Sequence, residues 1–90
     1  MSIEQFNEKW AQYLEPRFYG MIIDNSAVCA YLDQVFEELS KVPNFQYSQI
    51  KMKNGSARFY CKPWFIDTEQ IERKINQIVN ESSSNRESNL

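Results

Sequence analysis

Ninety residues leave room for one domain, and 42% hydrophobic with 14% aromatic residues supply a core, which excludes wholesale disorder. The net charge of −2 argues against a general nucleic-acid binder, and no apolar run approaches the ~20 residues of a bilayer span. A single α+β domain over residues 1–80, followed by a disordered polar tail over 81–90, is the predicted organisation.

Ser2-Ile3-Glu4-Gln5 has the form of a capping box. Ile3, Phe6, Trp10, Tyr13 and Leu14 then recur at helical spacing, predicting a helix over about Ile3–Leu14 that Pro16 stops. In Arg17–Ile23, Phe18, Tyr19, Met21, Ile22 and Ile23 surround Gly20. So short an apolar run reads either as a third strand at 18–23 or as buried irregular chain, and periodicity does not choose.

Asp24-Asn25-Ser26 offers three N-caps, and Val28, Leu32, Val35, Phe36 and Leu39 form a clear stripe behind it. A second helix over about Ser26–Lys41 follows, with Pro43 just beyond its end. Gln46–Lys53 and Ser56–Lys62 flank Asn54-Gly55, the pair that suits a type I′ hairpin because both central residues take positive φ. A third helix opens at Asp67, with Gln70 three residues on and Ile66 and Ile71 placed as a hydrophobic staple. Ile71, Ile75, Ile78 and Val79 are its buried stripe. The predicted architecture is a small antiparallel sheet built on the hairpin and packed against three helices.

The turn fixes a register: Lys53 opposite Ser56, Met52 opposite Ala57, Lys51 opposite Arg58, and so outward to Tyr47 opposite Lys62. Alternation then gives a core face of Ser48, Ile50, Met52, Ala57, Phe59 and Cys61. The outer face holds Tyr47, Gln49, Lys51, Lys53, Ser56, Arg58, Tyr60 and Lys62. From Leu39 to Ile66 the chain has five bases and no acid, so the other five bases against all twelve acids leave the remainder at −7. Lys51 opposite Arg58 breaks the rule against like-charge cross-strand pairs. An anion over the pair, a phosphate or a protein carboxylate cluster, would turn repulsion into attraction. A solvated face is the competing reading, since lysines on exposed strands also guard against aggregation. The candidate binding residues are Tyr47, Gln49, Lys51, Lys53, Arg58, Tyr60 and Lys62.

Gln49-Ile50-Lys51-Met52-Lys53-Asn54-Gly55-Ser56-Ala57-Arg58-Phe59-Tyr60 resembles a motif of small uncharacterised bacteriophage and prophage proteins, Gln-Val-Lys-Glu-Lys-Phe-Gly-Gly-Leu-Arg-Phe-Tyr, which there follows an amphipathic helix. Gln49, Lys51, Lys53, Gly55, Arg58, Phe59 and Tyr60 match without gaps, and the resemblance covers about Val28–Tyr60. Met52 stands where those proteins usually carry an acid, Asn54 replaces an aromatic, and the cysteine pairs of some members are absent, so no metal role carries over. The resemblance implies a mobile-element origin and an accessory or anti-defence role in the host cytoplasm. It implies no chemistry.

The residues themselves offer little chemistry either. There is no histidine to act as general base, and two cysteines alone make no ordinary zinc site. Cys29 lies near the stripe of the second helix and Cys61 on the hairpin's core face, both as structural thiols. Glycine occurs only at Gly20 and Gly55, which gives no phosphate-cradling loop. Glu37-Glu38 and Glu69/Glu72 read as solvated helix faces. Trp10 belongs to the first stripe, while Trp64 reads as core or surface anchor, with core the better fit.

Met1–Gln5 carries no basic region before an apolar stretch, so no secretory signal is expected, and the low cysteine count suits a cytoplasmic protein with reduced thiols. A non-enzymatic binding protein without cofactor or membrane partner is the expectation, with a host protein as first partner. A small anionic ligand such as a nucleotide comes second and single-stranded nucleic acid third. Free strand edges also leave a homodimer open.

Overall fold

The computed structural model describes the backbone of residues 1–88 and the side chains of residues 1–82. Ser2 and Gln5 close the expected reciprocal cap: the Gln5 N–H donates to Ser2 Oγ at 3.0 Å and the Ser2 N–H to Gln5 Oε1 at 2.8 Å. The helix they open, α1, covers Ile3–Lys9 and gives way at Trp10 to a 3₁₀ turn over Ala11–Tyr13. The apolar spacing from Ile3 to Leu14 thus marks two short pieces, not one helix. Leu14 then meets Tyr47 in a parallel bridge, and the Glu15 N–H donates to the Tyr47 carbonyl at 2.8 Å.

Residues Gly20–Met21 form β1, so the open stretch does hold a strand, though a brief one. It pairs with β2 (Gln46–Lys53) in parallel, through Gly20–Gln49 and Met21–Ile50. The connection is α2 (Ser26–Leu39), and a helical crossover of this kind returns the chain in the same direction. From its three candidate caps the chain uses Asn25, whose side chain accepts from the Ala27 and Val28 N–H groups at 3.0 Å. β3 (Ser56–Lys62) pairs antiparallel with the other side of β2, giving the order β1-β2-β3. The fold is α+β as expected, with a mixed sheet in place of a purely antiparallel one. Asn54 and Gly55 take φ of 54° and 78°, the positive values that the hairpin turn requires.

The third helix, α3, spans Thr68–Ser88, and Asp67 Oδ1 accepts from the Gln70 N–H at 3.3 Å as its cap. Its helical backbone passes Asn80, where the polar tail of residues 81–90 was expected to begin. Gln77 Nε2 donating to Glu81 and Ser82 Oγ donating to the Ile78 carbonyl, at 3.2 and 3.1 Å, span that junction. Asn89 and Leu90 lie outside the described residues.

The core lies between the helices and one face of the sheet. Phe6 of α1, Phe36 of α2 and Ile75 of α3 are buried with Ile50 and Phe59 of the hairpin. Phe36 is the hub, with ring centroids 4.9–5.8 Å from Phe6, Trp10, Phe45, Tyr47 and Phe59. Most of these pairs meet edge to face, the arrangement the aromatic quadrupole favours.

Both sheet edges are closed by helix side chains. On the β1 side, Asn7 of α1 pairs twice with Met21: its Nδ2 donates to the Met21 carbonyl and its Oδ1 accepts the Met21 N–H, both at 2.9 Å. Gly20 permits that approach, since its φ is +72° and a Cβ there would sit 2.8 Å from Asn7 Oδ1. On the β3 side, Asn76 Oδ1 accepts the Ala57 N–H and Glu72 Oε2 accepts the Phe59 N–H, each at 2.8 Å. The strand donors that would recruit another chain at these positions are therefore used internally.

The hairpin register holds from Lys53–Ser56 to Gln49–Tyr60 and then slips. Ser48 is an extra residue, so Tyr47 pairs with Cys61 and Gln46 with Lys62. This corrects the expected faces. Tyr47 turns inward and is fully buried, its ring 6.3 Å from Phe6 and 4.9 Å from Phe36. The physical reason is the aromatic pocket: the inserted residue lets both Tyr47 and Ile50 face the helices.

Candidate functional site

The uncovered face of the sheet is the site that the sequence singled out. On β2 it presents Gln49, Lys51 and Lys53, and on β3 Ser56, Arg58, Tyr60 and Lys62. Gln49, Lys51 and Arg58 are partly exposed, and Lys53, Tyr60 and Lys62 are exposed. Tyr47 is not part of this surface.

Lys51 does stand directly opposite Arg58. Lys51 Nζ lies 5.9 Å from the centre of the Tyr60 ring, within the range of a cation–π contact. Arg58 Nη1 donates to Ser56 Oγ at 3.0 Å and to the Ala57 carbonyl at 3.1 Å, which holds the guanidinium along its own strand. Among the described residues, no carboxylate forms an ion pair with Lys51, Lys53 or Arg58. Lys62 differs, because Glu15 meets its Nζ at 2.7 Å. The basic centre is therefore Lys51, Lys53 and Arg58, and Lys62 is neutralised.

The parallel strand adds a residue that the sequence reading did not place here. The Ile22 N–H donates to the Ile50 carbonyl at 3.0 Å, and alternation from the buried Met21 turns the Ile22 side chain to the side of Lys51. Ile22 is 48% exposed and Tyr60 44%. The loop after β3 departs further from expectation: Trp64, for which core was the better fit over a surface anchor, is 91% exposed, and Phe65 is 62% exposed. Their rings meet edge to face at 6.1 Å and touch each other instead of the core. Phe18 and Tyr19, before β1, are exposed as well. The signal for these residues was aromatic content at the ends of strands; what it lacked was the direction in which the chain leaves the sheet.

Neither thiol is set up as a nucleophile. Burial pushes the Cys29 thiol up, and burial together with the nearby Glu72 carboxylate pushes Cys61 up to about 11. Among the described residues, no group of three or more His, Cys, Asp or Glu is arranged to hold a metal ion. Nor is any helix among them long and apolar enough to cross a membrane. Comparison with protein families, with curated proteins and with solved structures finds no match to this chain.

Proposed function

We propose that the chain is a non-enzymatic binding protein that engages another protein through the basic, tyrosine-bearing face of its sheet. The supporting observation is the Lys51–Arg58 cross-strand pair, which faces solvent with no counter-charge among the described residues. Like charges so placed lower stability by a fraction of a kcal/mol. A partner carboxylate between them reverses the sign of that contribution. Arg and Tyr at the centre of the face are residue types that dominate protein interfaces. The hairpin's resemblance to small bacteriophage and prophage proteins gives the reading its concrete form: an accessory or anti-defence inhibitor that acts by occupying a host protein.

The test is affinity capture from host lysate with quantitative mass spectrometry, comparing the native chain with Lys51→Ser/Arg58→Ser. The double variant should lose its specific partner while its thermal melt stays within a degree or two. Equal capture by both chains would contradict the proposal.

A further inference from the structure

Resting on that reading, we infer that the docking surface is wider than its basic centre and takes an acidic segment of a protein chain anchored by apolar side chains. Among the described residues, seven large hydrophobic side chains are exposed, and all except Met1 fall in two segments, 18–22 and 60–65. These segments adjoin β1 and β3, the strands on either side of β2. At one end of the sheet they are tied together: Glu15, just ahead of the first, forms its ion pair with Lys62 of the second. Exposed apolar groups therefore lie on both strands beside β2, and two of them, Ile22 and Tyr60, share the face of Lys51, Lys53 and Arg58, which have no ion-pair partner among the described residues. Scattered single hydrophobics are ordinary on a protein surface, but grouping of this kind marks an interaction site.

The charge selects the occupant. Carboxylates satisfy Lys51 and Arg58, while leucine-like or aromatic side chains cover Ile22 and the Trp64–Phe65 pair. A second copy docked through the same face is disfavoured, because it would bring Lys51, Lys53 and Arg58 against their own counterparts. Strand addition is also disfavoured where Asn7, Glu72 and Asn76 already take the edge groups. Recognition by side chains over the face remains. Single-stranded nucleic acid could stack on the same aromatics, but a chain of net charge −2 gives it a poor electrostatic footprint.

A random twelve-residue peptide display library selected on the full chain tests this directly, with a labelled dT15 oligonucleotide as the competing arm. Enriched peptides should combine Asp or Glu with Leu, Phe or Trp. Their binding should shift tryptophan emission to the blue through Trp64, since Trp10 is already buried. Lys51→Ser/Arg58→Ser and Trp64→Ser/Phe65→Ser should each weaken peptide binding tenfold or more, with thermal melts unchanged. Peptides without acids, no enrichment at all, or tighter binding of dT15 would overturn the inference. If Trp64→Ser/Phe65→Ser binds peptides and the captured host protein normally while Lys51→Ser/Arg58→Ser fails, the aromatic flanks are wrong and the basic centre stands.

Discussion

The Tyr47 hydroxyl is fully buried and has no hydrogen-bond partner among the described residues, although its ring fills the space beside Phe6 and Phe36. A buried polar group left unpaired costs about 1–3 kcal/mol, so Tyr47→Phe should raise stability by about 1 kcal/mol in chemical denaturation. Burial also pushes the Tyr47 phenol from 10.0 up to about 12, and Cys61 from 9.0 to about 11. Both groups hold their protons more tightly in the fold than in the unfolded chain. Their stabilisation is therefore complete below about pH 9 and is lost as pH rises toward 11 and 12. Thermal melts across that range should fall less steeply above pH 10 for Tyr47→Phe than for the native chain; parallel curves would contradict the buried phenol. Tyr47 was misplaced by simple alternation, yet the sequence held a clue. Phe45, Tyr47, Ile50 and Met52 are spaced by two, three and two, and the odd step is the bulge.

At the scale of elements, local chemistry was legible and long-range closure was not. The Asn54-Gly55 turn, the Ser2 capping box and the Asp67 cap each depend on residues a few positions apart, and each formed as read. β1 depends on Asn7, fourteen residues before Met21, and no local pattern announces such a contact. The same holds for the α3 side chains that close β3. Asn76→Ala removes the acceptor for the Ala57 N–H, and with the edge opened should cost about 1–3 kcal/mol and increase aggregation on heating. Asn76→Asp keeps an acceptor oxygen and should lose much less. Equal melts for native chain and Asn76→Ala, read by circular dichroism with light scattering, would show that this bond does not secure the edge.

The whole molecule is two layers with different charge. Lys9 is held by Asp33 at 2.9 Å and by Glu37 at 3.2 Å on the helical side, where acids answer bases. On the uncovered sheet face, Lys51, Lys53 and Arg58 have no such compensation among the described residues. This segregation was visible in the sequence as an acid-free window, because a hairpin turns a contiguous stretch into one surface. The aromatic flanks were not visible, since the exposure of Trp64 depends on the course of the chain after β3. Lysine acetylation footprinting of the chain, alone and in complex with its captured partner, tests the docking face most directly. Lys51 and Lys53 should become protected while Lys41 and Lys74, both exposed on the helical side or its loops, stay reactive. Protection of Lys41 or Lys74 with Lys51 and Lys53 still fully labelled would contradict the account.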